Sequence, residues 1–182
     1  MTASSSTRKI VIGGVLAAIA IILGLTGIGF IPIPFSTINA TILHIPAIIG
    51  GVLEGPIVGL AVGGIFGLFS WIQANSTANV LFTNPLVSVV PRLFIGVTAA
   101  LAYQAIRKSN EIGAMATAGV VGTLTNTILV VGALLLFSLI PFAVVGTLLP
   151  QVIAEVVVGA IITTVVCAAW KRIDRGAGKS SI

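Results

Sequence analysis

Long apolar runs separated by short polar segments dominate this chain. A helix needs about 20 residues to cross the hydrocarbon core of a bilayer, so runs of this length predict membrane spans. The predicted spans are residues 9–30, 38–54, 57–74, 84–106, 113–138 and 149–171. The pattern predicts an all-α membrane protein, a compact bundle of six transmembrane helices that forms one integral membrane domain over residues 1–182.

Composition and charge place this bundle in a membrane. The chain is 57% hydrophobic and only 7% charged, too few polar side chains to cover a soluble surface. Short basic clusters flank the apolar runs at Arg8, Arg107 and Lys171. Because cytoplasmic segments of multi-pass proteins carry such clusters, we expect both termini to be cytoplasmic. No basic stripe interleaved with aromatic residues points to a nucleic-acid partner.

Polar side chains within the spans concentrate in the outer half of the predicted bundle. Counting along the helices places three of them roughly 9–12 Å below the outer helix starts: His44, Arg92 and Glu155. Three amides lie above them, and one lies near mid-depth: Asn39, Asn84, Gln151 and Asn126. This arrangement predicts a polar cup that opens outward and binds a small anionic solute, because arginine can hold a carboxylate with two parallel hydrogen bonds.

The polar segment 73–83 is expected to be an outer loop over this cup. Asn75 is its candidate ligand-binding amide, and Trp71 with Phe82 would form an apolar wall. Each candidate also has a structural interpretation. Arg92 and Glu155 would form a buried ion pair, and His44 would bond a backbone carbonyl. Asn126 would join two helices, and Trp71 would belong to the interfacial aromatic belt.

Small residues share one face of the first predicted helix. Their spacing of four, three and four places them in one row: Gly13, Ala17, Ala20 and Gly24. Such faces allow close helix approach, either to an external partner or within the bundle. Gly59, Gly63 and Gly67 repeat at four in the third span, where we expect packing within the bundle.

Enzyme chemistry is not expected. The single histidine has no companion cluster for a metal site, and no nucleophile motif, phosphate-binding loop or cofactor fingerprint occurs. The sequence therefore predicts no catalytic residues, no metal and no cofactor.

Four stretches resemble the substrate-binding S components of energy-coupling factor (ECF) transporters, most closely those of the pantothenate type. They are "LGLTGIGFIPIP", "TILHIPAIIGGVLEGPIVGLAVGGIFGLFSWIQA", "FTNPLVSVVPRLFIG" and "VGTLTNTILVVG". The resemblance implies vitamin capture in the plasma or inner membrane of a prokaryote. It also implies a transmembrane coupling subunit and two cytoplasmic ATPases as partners. It further implies that the small-residue face of the first helix contacts the coupling subunit.

Two other functions stay open at this stage. A proton-coupled secondary transporter of a small organic anion would use Glu155 and His44. A structural membrane protein would bind no small molecule. If the chain is an S component, the carboxylate of another vitamin, such as folate or biotin, would bind Arg92 as well as that of pantothenate.

Overall fold

A computed structural model describes residues 2–31, 40–77 and 79–177. The described chain is mostly helical. Its helices are α1 (Thr2–Thr26), α2 (Ile45–Glu54), α3 (Pro56–Ser76), α4 (Pro85–Ser88), α5 (Val90–Ile106), α6 (Glu111–Leu136) and α7 (Leu149–Ala177). Two short strands, β1 (Phe30–Ile31) and β2 (Ala40–Thr41), pair antiparallel, and single 3-10 segments cover Val80–Phe82 and Phe142–Leu148.

Five segments are long and apolar enough to cross a bilayer. They are Ser6–Thr26, Pro56–Ser76, Pro85–Ile106, Glu111–Leu136 and Phe142–Asp174. The structure thus supports an all-α membrane protein, although the second predicted span differs from the helix observed. The ten residues of α2 rise only about 15 Å, half the thickness of a hydrocarbon core.

Local chemistry explains where the helices depart from the predicted spans. The prediction began the second helix at residue 38, but α2 begins at Ile45, because Pro46 fits only the first turn of a helix. Residues 38 and 39 lie outside the described chain. The first helix ends at Thr26, where Gly27 takes a positive φ of 75°. The fourth predicted span is interrupted at Val89, just before Pro91.

The short helix α2 forms the centre of the bundle. It packs against α1, α3, α5, α6 and α7, and all of its residues from Ile45 to Val52 are buried. A helix that is apolar on every side belongs in the interior. The core continues from Ile48 to Ile95 of α5 and Met115 of α6. The longer helices therefore surround α2 and present their outer faces to lipid.

Glycines bring α3 and α5 into backbone contact. A Cβ added at Gly63 would lie 2.1 Å from the carbonyl oxygen of Arg92, and one at Gly59 would lie 2.8 Å from the Cα of Gly96. At Gly67 the nearest atom would be the Cα of Val89, at 2.9 Å. The prediction that these α3 glycines pack within the bundle is confirmed. The contact also fixes the height of Arg92 relative to α3.

Two charged clusters join helices at one end of the bundle. Arg8 of α1 pairs with Glu54 of α2 at 3.0 Å and with Asp174 of α7 at 3.2 Å. Lys171 of α7 pairs with Glu111 of α6 at 3.0 Å and also contacts Tyr103 of α5. The start of α1 and the end of α7 therefore lie at the same end of the molecule, which we call the terminal end.

Candidate functional site

Arg92 occupies the first turn of α5, directly after Pro91. Proline has no N–H, so it cannot make the helical hydrogen bond to the carbonyl of residue 87. The Arg92 guanidinium supplies a donor instead, with Nη1 2.7 Å from the Val87 oxygen. The side chain therefore folds back towards α4. The Arg92 side chain thus replaces the backbone donor that Pro91 lacks.

The Arg92 guanidinium lies close to two aromatic rings. Its Cζ is 5.7 Å from the centre of the Phe66 ring and 5.1 Å from that of Phe82, distances at which a cation is attracted to a π face. The residue is only 6% exposed, and its Nε has no hydrogen-bond partner among the residues that the structure describes. Within residues 2–31, 40–77 and 79–177, no carboxylate forms an ion pair with it. Arg92 is thus a buried cation without a counterion in the described part of the chain.

Glu155 of α7 does not supply that counterion. Its Oε1 accepts hydrogen bonds from the backbone N–H of Thr41 at 2.7 Å and from Nε2 of Gln151 at 3.3 Å. The ion pair considered between Arg92 and Glu155 is therefore not formed. Glu155 is 5% exposed, and in the described chain no lysine or arginine forms an ion pair with it. The bundle thus holds two buried charges of opposite sign that are not paired with each other.

A small cavity of about 40 Å³ adjoins Glu155. Its lining is mostly apolar and comes from the strands and α7: Ile31, Ala40, Thr41, Ile42, Ala154, Glu155 and Val158. The cavity is far below the roughly 300–1,000 Å³ of small-molecule pockets. A vitamin-sized ligand could enter only if neighbouring segments moved.

Further buried polar atoms without partners lie on α6, on α7 and at the start of α2. His44 is fully buried, and its Nε2 lies 2.9 Å from the Thr123 hydroxyl, whereas its Nδ1 has no partner in the described chain. The structure thus gives His44 a side-chain partner rather than the backbone carbonyl considered above. Asn126 Oδ1 and the hydroxyl of Thr163 are also buried without a hydrogen bond to any described residue. Each such atom costs about 1–3 kcal/mol, so this concentration favours a site for water or a polar ligand.

The remaining outer candidates have structural roles. Asn84 caps α4 by accepting from the N–H of Leu86 at 2.9 Å. Trp71 donates to the carbonyl of Thr83 at 2.8 Å, and exposed Asn75 donates to the carbonyl of Trp71 at 2.8 Å. The Trp71 bond ties the end of α3 to the segment that carries Phe82, whereas the Asn75 bond lies within α3. Asn39 lies outside the described residues.

Several contacting residues were not singled out from the sequence. Thr41 acts through its backbone N–H, which carries no side-chain signal. Thr123 and Phe66 lie in apolar runs and are indistinguishable there from packing residues. The Ser88 hydroxyl donates to the carbonyl of Phe82, six residues earlier.

The small-residue face of α1 turns inward. Ala17 is 4% exposed, Ala20 is 1% exposed, and a Cβ at Gly24 would lie 2.3 Å from the Phe69 ring. A Cβ at Gly13 would meet Val58 of α3 at 3.3 Å. Contact of these four residues with a partner chain stays a prediction, and their packing inside the bundle argues against it.

Comparison with known proteins decides what kind of component this site belongs to. The sequence model of the family described as "ECF transporter, substrate-specific component" matches residues 8–167. The chain belongs to this family. ECF substrate-specific components are transporter subunits rather than enzymes, and the five long apolar helices agree with a multi-pass protein of a prokaryotic cell membrane.

Two curated relatives of this ECF component carry pantothenate in their names. The pantothenic acid transporter PanT of Lactococcus lactis subsp. cremoris is 27% identical over 158 residues, covering 72% of this chain and 78% of the relative. The pantothenate transporter PanT of Leuconostoc mesenteroides subsp. mesenteroides is 28% identical over 127 residues, covering 66% of this chain and 62% of the relative. This ECF component is thus similar to two proteins named as pantothenate transporters.

Proposed function

We propose that this ECF component captures pantothenate and delivers it to an ATP-driven importer. In this proposal, Arg92 binds the carboxylate of the vitamin. The observation that carries it is the buried guanidinium with no anionic partner in the described chain. A charge in a bilayer interior normally has a partner or a ligand, and an arginine can hold a carboxylate through two parallel hydrogen bonds.

The other buried polar groups of the site match the amide and hydroxyl groups of the same ligand. Pantothenate carries one amide and two hydroxyls besides its carboxylate. Glu155 and the Asn126 oxygen accept hydrogen bonds, while Gln151 and the His44–Thr123 pair can donate or accept. Complementarity of this kind favours a small carboxylate that bears several neutral polar groups.

Ligand entry requires movement of the segment that carries Phe82. This ring packs on the Arg92 guanidinium at 5.1 Å, where it occupies space that a carboxylate would need. We propose that the 3-10 segment Val80–Phe82 moves away when the vitamin binds, while Trp71 keeps the end of α3 attached to Thr83.

The orientation in the membrane follows the charge distribution. The terminal end carries Arg8 and Lys171, and Arg107 ends α5 there. By the positive-inside rule we place the terminal end in the cytoplasm. The site at Arg92 then faces the outer half of the membrane, as a subunit that captures an external vitamin requires.

Thermal unfolding of the purified protein with a panel of vitamins tests the proposal. Pantothenate at 100 times its dissociation constant should stabilise the protein by about 2.7 kcal/mol, and its neutral alcohol analogue should give a much smaller shift. A shift with another carboxylated vitamin alone would change the substrate but keep the role of Arg92. The absence of a shift with any vitamin, in folded protein, would favour a structural role.

Uptake into proteoliposomes separates the importer from a proton-coupled carrier. We expect pantothenate uptake only when the coupling subunit and ATPases are present with ATP. Uptake by this chain alone that a protonophore abolishes would instead support proton coupling through Glu155 and His44.

The exposed side of α1 offers a second small-residue pair for the coupling subunit. Gly14 and Ala18 are exposed and lie one turn apart, and a Cβ at Gly14 would meet no atom of the described residues within 4 Å. Small residues allow close approach of a partner helix in lipid. We propose that this pair, rather than the small-residue face that includes Gly13, is the part of α1 that contacts the coupling subunit.

We expect Ala18→Trp to weaken association with the coupling subunit while vitamin binding stays unchanged, because the bulky ring would keep two helices apart. Co-purification and a ligand-induced melting shift measure the two properties. Ala105→Trp, at an exposed position of α5, is the matched control. Equal co-purification of both variants would exclude this surface.

A further inference from the structure

A groove of about 530 Å³ lies between α1 and α7 at the terminal end. It is lined by Thr7, Arg8, Val11, Ile12, Trp170 and Asp174. We call it the α1–α7 groove. Both helices pack on α2, and the Arg8–Asp174 ion pair connects them beside the groove.

The polarity of this groove changes along its length. Arg8 and Asp174 lie near the ends of the apolar segments Ser6–Thr26 and Phe142–Asp174. One turn deeper into the bundle, the lining is Val11, which is 57% exposed, and Trp170, which is 40% exposed. Charged groups at the membrane boundary, followed by exposed apolar groups, match a lipid headgroup followed by its acyl chains.

The charges of the groove favour a headgroup that carries both signs. One guanidinium, Arg8, binds two carboxylates, those of Glu54 and Asp174, so these three groups sum to one negative charge. The side chains of Arg8 and Asp174 are 44% and 50% exposed, so a cation and an anion are both accessible. A purely anionic headgroup would meet the exposed Asp174 carboxylate. A headgroup with a phosphate and a cation would satisfy both.

We propose that the α1–α7 groove binds a glycerophospholipid with a phosphate and a primary ammonium, the phosphatidylethanolamine class. The phosphate accepts hydrogen bonds from Arg8, and the ammonium donates to Asp174. An acyl chain lies along Val11, Ile12 and Trp170. A primary ammonium donates hydrogen bonds that a choline group, which has no N–H, cannot make. The bound lipid joins the first and last helices of the chain.

Native mass spectrometry of the full-length protein tests this site. The delipidated protein is offered equal amounts of phosphatidylethanolamine, phosphatidylcholine and phosphatidylglycerol with identical acyl chains. Because a hydrogen bond to a charged group is among the stronger ones, we expect about tenfold preferential retention of the ethanolamine lipid. Equal retention of all three, or strongest retention of phosphatidylglycerol, would overturn the proposal.

Two variants assign the preference to the groove. Asp174→Asn should retain the ethanolamine and choline lipids equally, whereas Glu111→Gln, an acid of the terminal end outside the groove, should keep the preference. Trp170→Ala should lower retention of all three lipids, since it removes the apolar contact. Circular dichroism confirms that each variant is folded. An unchanged preference in folded Asp174→Asn would exclude the assignment.

Discussion

The Arg92→Met variant is expected to lose vitamin binding without losing stability. Truncating one partner of a buried charge pair costs about 2–5 kcal/mol, so the dissociation constant should rise at least about 30-fold. Stability should behave differently, because Arg92 has no carboxylate partner in the described chain and makes only a carbonyl bond and two ring contacts. An uncompensated buried charge is itself destabilising, so replacing it by an apolar side chain of similar length should cost little stability.

Calorimetric titration with pantothenate and thermal unfolding of the ligand-free protein measure the two effects. Arg107→Met is the matched control, since Arg107 is exposed at the end of α5 and should change neither property. If the Arg92 variant binds pantothenate normally but its melting temperature falls by several degrees, Arg92 is a structural residue and the basis of the proposed site is removed.

The second large effect is expected from Gly63→Ala, a change of one methyl group. The new Cβ would lie 2.1 Å from the Arg92 carbonyl oxygen, and backbone atoms on both sides cannot rotate away. Overpacking of this kind costs about 1–3 kcal/mol, occasionally more. The separation of α3 and α5 that relieves it would also displace Arg92, so the folded fraction should bind vitamin more weakly.

Gly132→Ala in α6 is the appropriate comparison, because a Cβ there meets no atom of the described chain within 4 Å. Alanine is a better helix former than glycine by about 1 kcal/mol, so this variant should be as stable as the wild type or slightly more. Thermal unfolding distinguishes the two glycines. Similar melting temperatures for both variants would mean that α3 and α5 do not touch as described.

The sequence predicted the features that depend on residue type and spacing. A lone arginine in an apolar run indicated an unsatisfied charge, and the repeat at Gly59 and Gly63 indicated close helix contact. The sequence did not predict which way a helix face turns or which group a side chain contacts. The spacing of Gly13 and Ala17 shows that they share a face but not that this face turns inward. Asn84 precedes a proline, where an amide can be a cap or a ligand, and only geometry shows the cap.

The length of the second helix was overestimated for a related reason. Hydropathy continues from residue 38 to 54, and apolar residues before Ile45 look like more helix. In the structure, Thr41 belongs to a strand and its N–H is bound to Glu155, over a hundred positions later in the chain. A contact of that sequence separation leaves no trace in a local pattern.

Pro91 has a consequence for anyone who engineers this protein. Many residues at this position would restore a backbone N–H for the Val87 carbonyl and would compete with Arg92 for it. Selection for heat resistance or expression yield alone would therefore tend to accept replacements of Pro91, since they repair a helix. The same replacements would release Arg92 from its fixed direction. Variant libraries of this protein should therefore be sorted for ligand binding at every round. A replacement of Pro91 that raises thermal stability would weaken ligand binding through the adjacent Arg92.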